Sequence, residues 1–252
     1  MALDPVTLAI VAGTFVLAGL VKGVIGLGLP TVSLALLTAA MGLPQAMALL
    51  LVPSFVTNVW QALIGGNFRA ITMRIWPFLV MATATVWIGA LALTRLDVSI
   101  LSAMLGLLLV VYAVINLAGI RIAVPARHEV WAGPVIGATN GVLTGMTGSF
   151  VVPGVMFLQA IGLPRDMLVQ AMGMLFALST LALAIALGGN GLLSADLGWT
   201  SALAVVPAIG GMMLGQAVRG RMSETMSRRV FFVGILLMGL YILAGSLDSF
   251  II

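Results

Sequence analysis

The sequence predicts an all-α integral membrane protein made of two inverted-topology repeats, each a broken, re-entrant helical hairpin followed by three transmembrane helices. First, 62% of the 252 residues are hydrophobic and only 7% are charged, which leaves too little polar surface for a water-soluble globule. Second, uncharged runs approach or exceed the roughly 20 residues that a spanning helix needs, at 75–94, 98–120, 167–195, 197–218 and 230–247. Third, these runs lack the alternation of polar and apolar residues typical of a transmembrane barrel.

The first element is predicted to be a hairpin over residues 5–42, broken around the stretch GVIGLGLP. Lys22 is the only charge between Asp4 and Arg69. Because glycine releases the backbone and proline removes a hydrogen-bond donor, this stretch is the natural place for the break. The N-terminus lacks a basic region and a small-residue cleavage site, so we interpret it as the first membrane segment and not as a removable signal.

A second hairpin is predicted within the 35 uncharged residues 130–164. One straight helix of that length would extend about 52 Å at 1.5 Å per residue, far more than the hydrocarbon core of a bilayer. The stretch TGMTGS and Pro153 in the middle of the run predict where it breaks.

The two halves of the chain repeat the same landmarks. GLVKGVIG at 19–26 matches GVLTGMTG at 141–148, an offset of 122 residues. Pro30 pairs with Pro153, and the tripeptides GLP at 42–44 and GGN at 65–67 recur at 162–164 and 188–190. We infer a single membrane domain, 1–252, with a first repeat at 1–122 and a second at 123–252, joined by the polar stretch RIAVPARHEV.

Three full spans are predicted after each hairpin, at 44–66, 72–94 and 98–119 and then at 165–188, 197–218 and 229–247. Nine arginines then lie on one side of the membrane and only Arg95 on the other; the nine are Arg69, Arg74, Arg121, Arg127, Arg165, Arg219, Arg221, Arg228 and Arg229. If each broken run crossed once, the same arginines would split six against four, so the positive-inside rule favours hairpins. Three crossings per half invert the second half, and we expect the two tips to approach each other near the midplane.

The two breaks predict a site for a small anionic substrate. Non-helical backbone at membrane depth is tolerated where it lines a cavity, and the free amides and positive helix ends there attract anions. Lys22 precedes the first break and aligns with Thr144 in the repeat. A charge at that depth is costly without a counter-charge, so Lys22 would attract and hold an anion. In the alternative interpretation the first arm is shallow and Lys22 extends toward the lipid headgroups.

The other candidate groups are uncharged. Hydroxyls near the breaks would add donors, on Thr31, Ser33, Thr144, Thr147 and Ser149. Asn58 and Asn140 lie inside uncharged segments, where an amide must bind either the ligand or a neighbouring helix. The repeated glycines would let a ligand approach the backbone, although GxxxG spacing also serves close helix packing.

The sequence lacks the residues that several other functions would require. All seven carboxylates lie in loops or at termini, so none is available at the midplane for ion coupling. The only histidine, His128, is in the linker and cysteine is absent, so no enzyme activity, metal or cofactor is predicted. The arginines lie in short loops as topology signals, so nucleic-acid binding is not predicted either.

Three stretches carry a family resemblance: GLVKGVIGLGLPTVSLALL, GLPQAMALLLVPSFVTNVWQ and GVLTGMTGSFVVPGVMFLQAIGLPRD. In this order they resemble the TauE/SafE sulfite exporter family, also called the 4-toluene sulfonate uptake permease family, over almost the whole chain. The resemblance implies transport of sulfite, sulfoacetate or other organosulfonates across the bacterial cytoplasmic (inner) membrane. The family's KGxxGxG pattern falls on Lys22, Gly23, Gly26 and Gly28, and its downstream proline and asparagine fall on Pro53 and Asn58. Where the family often has a glycine triplet, this chain has Gly28, Leu29 and Pro30, a departure that bears on the substrate.

We therefore expect a multi-pass secondary transporter that works by alternating access at a midplane anion site. An anion channel, a transporter of another small organic anion and a membrane scaffold are the alternatives. The expected partners are the small anion, the lipid bilayer and, in a homodimer, a second copy of the chain. The predicted substrate-binding residues are Lys22, Gly23, Gly26, Gly28, Asn58, Asn140, Thr144, Gly145, Thr147, Gly148 and Ser149.

Overall fold

The computed structural model describes residues 4–120, 122–221 and 223–248, and within these residues the chain is helical without any strand. The first half of the chain forms α1 (Pro5–Ile25), α2 (Leu29–Met41), α3 (Leu43–Leu63), α4 (Phe68–Ala84), α5 (Val86–Ala92) and α6 (Val98–Leu117). The second half forms α7 (Ala126–Thr147), α8 (Gly154–Ala160), α9 (Arg165–Gly189), α10 (Ala195–Leu203), α11 (Val205–Arg219) and α12 (Glu224–Asp248). The predicted all-α fold is confirmed. Arg121, which was counted among the nine arginines, lies outside the described residues.

Side-chain hydrogen bonds cap the N-termini of α1, α6 and α10. Asp4 accepts the Thr7 amide at 2.7 Å before α1, and Asp97 accepts the Ser99 amide at 2.8 Å before α6. Ser194 accepts the Leu197 amide at 3.3 Å before α10. The hydrogen bonds from Thr7 and Ser99 hold the pKa of the Asp4 and Asp97 carboxyls below the ordinary value. Both carboxylates therefore stay ionised at helix N-termini, where negative charge is favourable.

Seven helical segments of the described chain are long and apolar enough to cross a membrane: Pro5–Ile25, Leu43–Leu63, Phe68–Ala92, Val98–Leu117, Arg165–Gly189, Ala195–Arg219 and Thr225–Leu247. Six of them coincide with the six predicted spans. The seventh is α1, whose 21 residues reach about 31 Å, whereas α2 has only 13 residues and is too short to cross. The chain is thus a multi-pass membrane protein, while the re-entrant path of the hairpins and the inversion of the halves stay predictions.

Two spans are broken in the middle, at Thr85 between α4 and α5 and at Ala204 between α10 and α11. Pro207 accounts for the second break, because proline has no N–H to donate to the carbonyl four residues earlier. At the first break the Thr85 hydroxyl donates to the carbonyls of Met81 and Ala138, each at 2.8 Å. Since Ala138 belongs to α7, a tertiary contact holds the break at Thr85.

The described chain folds into two compact units, each drawing segments from both halves. The first unit contains α1, α2, the first half of α3, α6, α10, α11 and α12. In this unit α1 packs along α11, α6 packs along α12, and α2 contacts α1 and α12. Ser201 of α10 donates its hydroxyl to the Leu49 carbonyl at 2.8 Å and accepts the Val52 amide at 3.1 Å, which ties α10 to the first half of α3.

The second unit contains the second half of α3 together with α4, α5, α7, α8 and α9. Here α7 packs along α4 and α5, and α9 contacts α4, α5, α7 and α8. The Gln61 amide donates to the Val169 carbonyl at 2.7 Å, and the Gln170 amide donates to the Ala62 carbonyl at 2.8 Å. In both units, therefore, the long arm of the hairpin from one half packs on the broken span of the other half.

Glycines allow the long arm of each hairpin to pack closely against the broken span. A side chain at Gly19 or Gly23 of α1 would collide with backbone atoms of α11. A side chain at Gly141 or Gly145 of α7 would likewise collide with α4 or α5. The close-packing role that GxxxG spacing allows is present at all four positions, and the ligand contact expected at Gly23 and Gly145 stays a prediction.

Candidate functional site

The first hairpin turns over three residues between α1 and α2. Gly26 ends α1 with a positive φ of 86°, and its amide donates to the Lys22 carbonyl at 2.8 Å. Gly28, with a φ of 106°, precedes α2, and Pro30 lies in the first turn of that helix. Glycine is required at both positions because L side chains rarely adopt a positive φ. At Gly28 a side chain would also press against the ring of Phe231 in α12.

Lys22 lies in the last turn of α1, one turn before this tip. Its side chain is only 5% exposed, and it is the only buried charged side chain among those that the structure describes. The negative end of the α1 dipole favours a cation in the last turn. A lysine extended toward lipid headgroups would be exposed, so the burial of Lys22 favours the interpretation in which it faces the protein interior.

The second hairpin has the same cap as the first. Gly148 ends α7 with a φ of 71°, and its amide donates to the Thr144 carbonyl at 2.8 Å. Thr144 thus occupies the position that Lys22 occupies in the first hairpin, as the repeat predicts. The chain then passes through residues 149–153, with a cis peptide between Val152 and Pro153, into α8.

Two threonine hydroxyls at the second tip are bonded to the backbone. Thr144 donates to the Ser149 carbonyl at 2.9 Å, and Thr147 donates to the Leu143 carbonyl at 2.7 Å. Thr147 also accepts the Ser149 amide at 3.2 Å. Both hydroxyl protons that were expected to face a ligand are held by the tip itself, so these hydroxyls stabilise the turn, and a ligand role for them stays a prediction.

Asn140 joins the two arms of the second hairpin. Its Oδ1 accepts the Gly154 amide, the first of α8, at 2.8 Å. Asn140 is fully buried, and within the described residues its Nδ2 has no hydrogen-bond partner. The buried Ser149 hydroxyl likewise has no hydrogen-bond partner in the described part of the chain. The second hairpin therefore contains two buried donors that no group in the described part of the chain satisfies.

Asn58 is fully buried in α3, one turn before the amide cross-links to α9. It belongs to the second unit, together with the site residues of the second hairpin. Lys22, Gly23, Gly26 and Gly28 belong to the first unit. The predicted site residues thus divide between the two units, and Asn58 shares a unit with the second hairpin.

Three buried hydroxyls of the second unit were missed by the sequence prediction: Ser54 of α3 and the neighbours Ser179 and Thr180 of α9. Each is at most 1% exposed, and none has a hydrogen-bond partner within the residues described. A signal for them exists in the sequence. Thr180 follows Asn58 by 122 residues, the offset of the repeat, and the Ser-Thr pair interrupts an uncharged helix.

Arg74 of α4 anchors the base of the second hairpin. Its guanidinium donates to both carboxylate oxygens of Glu129 in the first turn of α7, at 2.9 and 2.7 Å. The same guanidinium donates to the Ile161 carbonyl just after α8, at 2.7 Å. One arginine therefore links the start of the hairpin, through a bidentate ion pair with Glu129, to its end, through a single hydrogen bond to Ile161.

A family model of the sulfite exporter TauE/SafE matches residues 11–242, nearly the whole chain. The chain belongs to the sulfite exporter TauE/SafE family. No curated protein and no solved structure matches it. As a TauE/SafE member with seven apolar helices in its described part, it is a membrane transport protein of a family that moves sulfite or related anions. In the described part of this TauE/SafE chain, no group of acidic, histidine or cysteine side chains is arranged to hold a metal ion.

Proposed function

We propose that the protein is a secondary carrier that moves a small sulfur-containing anion, namely sulfite, sulfoacetate or another organosulfonate, across the bacterial cytoplasmic membrane. The observation that carries the proposal is the buried Lys22 at a broken helix tip. An ammonium group at that depth is stabilised by an anion, and the open backbone of a glycine-rich turn leaves room for one to approach. The family membership supports the same class of substrate.

Alternating access is the mechanism that fits a duplicated transporter. Each half contributes a glycine-capped hairpin and a broken span, and discontinuous helices of this kind form the substrate sites of transporters built from repeats. In the carrier, the bound anion offsets the positive charge of Lys22, and the occupied site can then close. A channel would instead keep a continuous path and would show no saturation.

Transport assays in proteoliposomes test the proposal. The wild type should take up labelled sulfite or sulfoacetate with saturation, and Lys22→Ala should lower the uptake to that of empty liposomes. Arg95→Ala is the matched control, because it also removes one positive charge but at an exposed loop. Uptake by Lys22→Ala at the wild-type rate would overturn the role of Lys22.

Counterflow separates the carrier from the channel. Liposomes loaded with unlabelled substrate should accumulate labelled substrate transiently above its external concentration, because a carrier exchanges one molecule for another. An open pore cannot do this. Wild-type uptake that neither saturates nor shows counterflow would establish that the protein is a channel. If the protein binds none of these anions, a membrane scaffold is the interpretation that remains.

A further inference from the structure

Ser179 and Thr180 of α9 are buried polar groups that the site described so far does not use. Their hydroxyls are 0% and 1% exposed and have no hydrogen-bond partner within the described residues. Several other helical hydroxyls in this protein donate to the carbonyl four residues earlier, namely those of Thr72, Thr83, Thr139, Thr200 and Ser246. A buried hydroxyl that forgoes this bond is costly unless something else completes it.

The position of these hydroxyls relative to the second tip follows from the packing of α9. After α8 ends at Ala160, a short connection leads to α9 at Arg165, and the two helices are in contact. The chain of α9 therefore runs from the base of the hairpin toward its tip. The rings of Phe150 and Phe176 have centroids 5.8 Å apart, so the tip is level with this part of α9.

The same level is marked by Gly154, where a side chain would lie 3.0 Å from the Leu175 side chain. Residues four apart share one face of a helix. Ser179 and Thr180 therefore continue the faces of Leu175 and Phe176 by one turn, roughly 5–6 Å past the tip. Asn140 accepts the Gly154 amide and so lies at this level, and Ser149 adjoins Phe150 at the tip.

We propose that Ser179 and Thr180 bind the oxygens of the transported anion, with Asn140 and Ser149 as further donors from the second tip. The inference rests on the proposed function and adds specificity-determining residues to it. All four groups are uncharged and donate hydrogen bonds, and a sulfite or sulfonate group offers three oxygens to accept them. A site built on such donors rejects ligands that leave them unpaired.

Calorimetric titration of the purified protein in detergent with sulfite, sulfoacetate and 4-toluenesulfonate tests this inference. Ser179→Ala and Thr180→Val should each raise the Kd of the anion that the wild type binds best by roughly five- to tenfold, the effect of one lost hydrogen bond. Thr180→Ser should keep a Kd near that of the wild type. Thr83→Val and Ser246→Ala are controls, since their hydroxyls are satisfied inside their own helices.

Thermal unfolding without ligand separates binding from structure. Because each hydroxyl lacks a hydrogen-bond partner among the residues that the structure describes, its removal should leave the unfolding midpoint unchanged or raise it. A lower midpoint in both variants would show that the hydroxyls join helices, and an unchanged Kd would show that they do not touch the ligand; either result overturns the inference alone. If the wild type binds none of the three anions, the proposed function fails and this inference fails with it.

Discussion

At the level of single residues, the proposed anion site depends on Lys22, the only lysine in the chain. An amine-reactive reagent can therefore modify one side chain besides the N-terminus. Since Lys22 is buried, labelling requires an aqueous path to the tip, and a bound anion should block it. We expect sulfite or sulfoacetate to slow the modification of Lys22 at least several-fold, measured by peptide mass spectrometry. Chloride at the same ionic strength is the control, and equal protection by chloride would contradict a sulfur-anion site.

At the level of secondary-structure elements, helix pairing depends on glycine. Gly19→Ala should lower the thermal unfolding midpoint in detergent, because the new methyl group would meet the α11 backbone, and overpacking of this kind costs about 1–3 kcal/mol. Gly13→Ala in the same helix meets nothing within 4 Å and should be neutral or stabilising, since alanine is the better helix former. Equal effects of the two substitutions would show that α1 and α11 do not pack as described.

At the level of the whole molecule, the inversion of the two halves is open to a direct test, because the chain has no cysteine. Single cysteines at Val6 and Ile122, both exposed near the bases of the two hairpins, should react with a membrane-impermeant thiol reagent from opposite sides. Leu96→Cys should follow Val6, and Ser223→Cys should follow Ile122, as the arginine distribution predicts. Labelling of Val6→Cys and Ile122→Cys from the same side would contradict the inverted repeat.

Much of this architecture could be predicted from the sequence, because it depends on local chemistry. The spans follow from uncharged runs, and the breaks at Gly26–Gly28 and Gly148–Pro153 follow from glycine and proline. The break at Ala204 could also have been predicted from Pro207. The break at Thr85 could not, because its hydroxyl bonds a carbonyl of a helix far along the chain.

The candidate site was predictable only in part for the same reason. Lys22 and Asn140 are conspicuous as polar residues in uncharged segments. The backbone bonds of the Thr144 and Thr147 hydroxyls depend on the exact turn that the chain makes. Ser179 and Thr180 were missed because serine and threonine are common in membrane helices, where they usually bond their own backbone. Only the packed structure shows that these two do not.

The contacts of Arg74 have a consequence for how the second hairpin moves. The Arg74 guanidinium binds Glu129 at the start of the hairpin and Ile161 at its end, and α4 packs along α7. The base of the hairpin is therefore tied to α4. In the proposed carrier, movement of this hairpin should therefore either be limited to flexing of the residues between Gly148 and Pro153 or carry α4 along with it.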